Sequence, residues 1–209
     1  MRKSNLLAFA VFLWAVTTVH ADAIYQVSVN TSSIAGTTGS LDFQFNNGNG
    51  EKQAATVTIL NFTGGTISNP STMGEVSGGP LPAAVTIGNG VQTNSGLDDL
   101  FETYTYGSSL KFTLDFGGPA VTAPNGLSTG NSEFFFSMFS DVGGTVPVLT
   151  SDPNGVAATV TVNPNGSISS TAVSPAVNFV PEPGSVALVG TAFGLLIGMR
   201  RRWWTNRVG

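Results

Sequence analysis

LKFTLDF, Leu110 to Phe116, alternates four large apolar residues with Lys111, Thr113 and Asp115. Successive side chains of a strand turn to opposite faces, so this period of two places Leu110, Phe112, Leu114 and Phe116 on a core and the polar set in water. LDFQF, Leu41 to Phe45, repeats the pattern, and so do Tyr25, Val27 and Val29 around Gln26 and Ser28. Val156, Ala158, Val160 and Val162 alternate with Ala157, Thr159 and Thr161. Asn163-Pro164-Asn165-Gly166 then supplies a turn into Ser167 to Ala172, which predicts a hairpin. Ala54 to Phe62 is rich in Thr, Val and Ile, and Leu60 and Phe62 switch phase, as at a bulge or in a strand buried on both faces. Phe134, Phe135 and Phe136 predict a central strand, and Asp98-Asp99 opens another from Leu100 to Tyr106.

Between these runs lie clusters of Gly, Asn, Ser and Pro at 36–39, 46–50, 69–82, 119–130 and 143–147, which read as loops. None carries a helical period. Short strands separated by turn signals predict an all-β fold, an antiparallel β-sandwich of jelly-roll or Ig-like outline.

The two ends of the 209-residue chain differ from this middle. Residues 1–23 read as a secretory signal peptide: Arg2 and Lys3 are the basic start, Leu6 to Val19 the apolar core, and Ala21 and Ala23 the small residues after which cleavage is expected. At the other end, residues 179–209 have three parts. Pro181, Glu182 and Pro183 form an extended, reachable peptide, because proline disfavours helix at itself and at the residue before it. The uncharged run 184–199 would rise about 24 Å as a single transmembrane helix, short against a hydrocarbon core of about 30 Å. Arg200, Arg201 and Arg202, backed by Trp203 and Trp204, are the stop-transfer cluster that holds such a span at the cytoplasmic face.

Val180 to Pro183, the apolar span and the arginine cluster, in that order, resemble the PEP-CTERM sorting signal of Gram-negative bacteria. The extension from Trp203 to Gly209 is longer than that pattern needs. The resemblance implies that exosortase, an integral membrane enzyme, reads Pro181, Glu182 and Pro183, removes the tail near them, and releases or attaches the remainder at the cell surface. The catalytic residues would then belong to exosortase, and this chain would be its substrate. Tyr25 to Phe45 is also similar to a recurring group of PEP-CTERM ectodomains, which supports the fold and adds no chemistry.

The ectodomain so delimited, 24–178, contains no His, Cys, Trp or Arg, and its only basic residues are Lys52 and Lys111. Ten acids oppose them: Asp42, Glu51, Glu75, Asp98, Asp99, Glu102, Asp115, Glu133, Asp141 and Asp152. That balance excludes nucleic acid, whose phosphates require clustered Lys or Arg. The lack of cysteine excludes disulfides and thiolate metal sites. Acid–base hydrolysis of sugars would have to use a pair among Asp98, Asp99, Glu102, Asp115 and Glu133, and an exposed, charged loop is the simpler reading of Asp98-Asp99. Calcium would be sought at Asp98 with Asp99, at Asp141, and at Asp152-Pro153-Asn154-Gly155, although the last is an ordinary turn sequence. A glycan platform would have to use Tyr25, Tyr104 and Tyr106.

The sequence therefore predicts an exported, non-catalytic surface or extracellular-matrix protein with no cofactor. It would pass through the Sec translocon, be held in the inner membrane by its tail, and be processed by exosortase. A carbohydrate-binding module, with exopolysaccharide as partner, is the alternative, and a calcium-stabilised adhesin domain a second.

Overall fold

A computed structural model describes residues 23–94 and 96–182. Its organising strand contains the Leu110 to Phe116 alternation but is longer than that stretch: Asp99–Gly117 is one continuous strand, here β6. The strands before it are β1 (Ala23–Asn30), β2 (Thr38–Asn47), β3 (Thr56–Met73), β4 (Val76–Gly78) and β5 (Val85–Gly88). After it come β7 (Ser132–Phe139), β8 (Val156–Val162), β9 (Ile168–Ala172) and β10 (Val177–Pro181). Every pairing is antiparallel.

The registers show how one path of hydrogen bonds makes two layers. The second half of β6 pairs with β1 from Ala23↔Phe116 to Asn30↔Ser109, and β1 pairs onward with β10. The first half of β6 pairs instead with β2, from Thr38↔Thr105 to Gln44↔Asp99, and β2 leads through β7 and β8 to β9. Along its other edge β6 is followed by β3 for most of its length, with register shifts between Leu60 and Thr63, Thr63 and Gly65, and Ser68 and Ser71. β3 and β6 thus form a long ribbon shared by both layers.

The bend of that ribbon is built from glycine. At Gly64, with φ at +115°, an added Cβ would lie 1.9 Å from the Ser109 carbonyl oxygen, and at Gly107 one would lie 1.9 Å from the Gly64 carbonyl oxygen. Only backbone fits where the two strands cross so closely. The groups freed by the bend are satisfied by the segment after β1, which includes a 3-10 turn at Ser32–Ile34. Thr31 donates from its hydroxyl to the Gly107 carbonyl at 2.7 Å, and Gly36 N–H donates to the Tyr106 carbonyl at 2.8 Å.

The core lies between the layers. Phe43 of β2 sits 5.5 Å from Phe112 of β6 and 5.1 Å from Phe136 of β7, while Phe116 meets Phe45 at 5.9 Å and Phe134 at 6.0 Å. Most of these contacts are edge-on, the arrangement that the ring quadrupole favours. All six rings are buried, each contributing about 1.5–3 kcal/mol by removal from water. The expected alternations at Tyr25–Val29, Leu41–Phe45 and Leu110–Phe116 therefore fall on the core as read. The hairpin closes as expected too, with Asn163 N–H donating to the Ser167 carbonyl and Gly166 N–H to that of Asn163. The phase switch at Leu60 and Phe62 is a bulge: Asn61 takes φ 54°, and Phe62 turns into the core.

Two loop expectations are corrected. The stretch 69–82 is not all loop, because β3 continues to Met73 and β4 follows. The strand residues from Asn69 to Met73 are exposed and carry no apolar alternation; the backbone ladder from Ser71, Thr72 and Met73 to Phe101, Leu100 and Asp99 holds them in place. The stretch 119–130 begins with one turn of helix, α1 (Pro119–Thr122), in which Pro119 stands at the first turn, where its missing N–H costs nothing. The transmembrane span expected at 184–199 lies outside the described residues, and among the described residues no helix is long and apolar enough to cross a membrane.

Candidate functional site

The sorting motif begins on β10. This strand carries the sheet through Phe179, Val180 and Pro181, past the boundary expected at 178, with Pro181 opposite Tyr25. Proline closes such a strand readily because the sheet then needs no donor from it. Glu182 follows, donating its N–H to the Ile24 carbonyl at 2.9 Å and accepting a bond from the Gln26 amide at 2.9 Å. Pro181 and Glu182 are both exposed, and among the described residues β1 is the only strand that pairs with β10. Ala23 opens β1, so the expected signal-cleavage point and the start of the sorting motif lie side by side. Ala21, Pro183, Arg200, Arg201 and Arg202 lie outside the described residues.

The acids do not assemble into one site. Asp98 is buried rather than exposed, correcting the reading of Asp98-Asp99 as a solvated loop: its carboxylate accepts from the Glu75 N–H, and its own N–H donates to the Asn46 side chain. Asp99 turns to the opposite face, where it contacts Asp42 on β2. Burial raises the pKa of both carboxyls, and in Asp42 the neighbouring Asp99 raises it further. Glu102 faces inward between Leu100 and Tyr104, wholly buried, with neither carboxylate oxygen hydrogen-bonded. Its pKa is pushed up to about 7 by burial, so it resides in the core as a neutral acid at mildly acidic pH. Glu133 is exposed, and Asp115 lies on the outer face of β6.

The calcium candidates are already engaged in turns. Asp141 accepts bonds from the N–H groups of Gly143, Thr145 and Val146 and from the Thr145 hydroxyl, and these donors hold its pKa below the ordinary carboxylate value. Asp152 accepts from the N–H groups of Asn154 and Val156, as an Asx turn does. Among the described residues no three His, Cys, Asp or Glu side chains are grouped to hold a metal ion.

The tyrosine platform is also corrected. Tyr25, Tyr104 and Tyr106 are 7%, 0% and 2% exposed, so none offers a ring face to a sugar. Tyr106 spends its hydroxyl inside the fold, donating to the Ser40 or Phe139 carbonyl at 3.0 and 2.8 Å. The register explains this, since Tyr104 and Tyr106 continue the inward phase of Leu100 and Glu102.

A trough of mixed polar and apolar lining on the outer face of the β1–β6–β3 layer was not foreseen. It has a volume of about 410 Å³ and is lined by Gln26, Val27 and Ser28 of β1, Lys111, Phe112 and Thr113 of β6, and Asn61 and Thr63 of β3, with Val180 of β10. The outer phase of β1 and β6 supplies the floor. The bulge at Asn61 raises one wall, because it pushes Asn61 and Thr63 out of the regular pleat. The alternation of Gln26, Ser28, Lys111 and Thr113 was legible as a solvent face, but the hollow depends on the bulge and on β10.

No family model, curated protein or solved structure matches the chain.

Proposed function

We propose that this is an exported, non-catalytic surface or extracellular-matrix protein that exosortase sorts and processes through a PEP-CTERM tail. The observation that carries the reading is the order of parts in the tail: Pro181-Glu182-Pro183, an uncharged run, then Arg200 to Arg202. The exposed, singly paired edge strand on which Pro181 ends supports it, since a peptide held by one neighbour is readily drawn away into another binding cleft. The protein would enter through the Sec translocon, stay in the inner membrane as a precursor, and reach the surface or matrix after cleavage. We read the sandwich as one of jelly-roll or Ig-like outline. Replacing Pro181, Glu182 and Pro183 together by alanine is expected to leave a full-length, membrane-held precursor in the native host. Normal processing of that variant, followed by blotting of cell fractions, would defeat the assignment.

A second reading, carbohydrate binding, is favoured by the trough. Its amides and hydroxyls are the groups that pair with sugar hydroxyls, and its volume falls in the range of small-ligand sites, about 300–1,000 Å³. The calcium-stabilised adhesin has less behind it, because Asp141 and Asp152 already serve their own turns.

A further inference from the structure

We propose that the trough on the β1–β6–β3 face binds a saccharide bearing carboxylate groups, with Lys111 receiving the carboxylate. This rests on the carbohydrate reading and assigns its site and ligand class.

The trough has a sharply divided chemistry. Gln26, Ser28, Asn61, Thr63 and Thr113 are neutral donors and acceptors, and Lys111 is the one charge among them. The Gln26 amide nitrogen is held by Glu182, which leaves the Gln26 carbonyl oxygen to accept from a ligand hydroxyl. Asn61 reaches Thr113 only at 3.4 Å, a long bond that a ligand hydroxyl could replace on either side. Ser28 stands opposite Lys111 on β1 and Thr63 opposite it on β3, so hydroxyls flank the ammonium on both sides along one row of the sheet.

Lys111 is unusual for this protein. Residues 24–180 carry ten acids against two lysines, and Lys111 is the one of the two that lines the trough. Its nearest acid on the same face of β6 is Asp115, four residues along the strand. An ammonium set in a recess of neutral hydrogen-bonding groups selects a ligand that combines hydroxyls with one negative charge, which is the chemistry of a uronic acid. Glu182, hydrogen-bonded to Gln26 at the trough's edge, opposes an anion at that end, so the carboxylate belongs at the Lys111 end, between Ser28 and Thr63.

The test titrates the full-length protein in detergent with trigalacturonate and, separately, with neutral galactotriose, followed by calorimetry. The wild type is expected to bind trigalacturonate at least tenfold more tightly than galactotriose. Lys111→Gln should remove that preference, Ser28→Asp should abolish trigalacturonate binding by placing a carboxylate beside the ammonium, and Lys52→Gln should change nothing. Lys111 and Ser28 lie on the outer face, so a melting temperature within a few degrees of wild type accompanies these losses. Equal binding of the two sugars, or an undiminished preference in Lys111→Gln, would overturn the acidic-ligand assignment and leave carbohydrate binding standing. Binding of neither sugar would overturn both.

Discussion

Glu102 is the residue most at odds with its surroundings. It lies wholly inside the sandwich with no hydrogen bond to either oxygen, and its pKa rises from 4.5 to about 7 through loss of water. An acid whose folded pKa exceeds its unfolded one binds more protons in the native state between those two values. Stability therefore falls as pH rises from about 4.5 to about 7, and the full penalty, on the order of 3 kcal/mol, applies above that window. The Asp42–Asp99 pair acts in the same direction. Glu102→Gln is expected to raise the melting temperature at pH 8 and to leave it nearly unchanged at pH 4.5; equal effects at both pH values would show that Glu102 does not carry this dependence. The position of Glu102 was legible: Leu100, Tyr104 and Tyr106 share its phase, and that phase leads directly into the core. It was passed over because acidic residues are read as solvent-facing by default, and the same habit left Tyr104 and Tyr106 as surface candidates.

At the scale of elements, the long β3–β6 ribbon decides the architecture, and its bend depends on Gly64 and Gly107. Gly64→Ala would introduce a Cβ 1.9 Å from the Ser109 carbonyl oxygen at a φ of +115°, which L side chains rarely adopt. Backbone strain of about 1–3 kcal/mol adds to the steric displacement, so a loss of at least about 2 kcal/mol is expected in urea unfolding. Gly36→Ala is the control for clash alone, since nothing lies within 4 Å of the added methyl, although its φ of +82° still brings strain. If Gly64→Ala cost no more than Gly36→Ala, the close crossing would not be what holds the bend. The strands on either side of this bend were readable as separate alternating runs. Their fusion was not, because Tyr106-Gly107-Ser108-Ser109 resembles a turn, and only the pairing with β3 and with the Thr31 segment keeps it in the ladder. β3 beyond Gly65 was illegible for a related reason: its exposed, polar residues bury little, and backbone bonds hold them.

At the scale of the whole molecule, the described domain brings its two ends together. Ile24 and Glu182 are joined by a backbone hydrogen bond at 2.9 Å, so the expected N-terminal and C-terminal processing points meet at one corner of the sandwich, on the β1–β10 edge. The trough lies on the same layer, bounded by Val180, and Gln26 connects it to Glu182. Removal of the tail near Pro181 would leave the core strands untouched, since β10 contributes only Val177 to the buried set. A domain so arranged would remain folded if the proposed sorting tail were removed. The sorting reading itself comes from the ordered tail, and it is tested most directly by the intact mass of the protein purified from its native host, with and without the exosortase gene. The account predicts a mature species ending near Pro181 in the wild-type strain and a species retaining the tail through Gly209 in the mutant. The same full-length tail in both strains would contradict it.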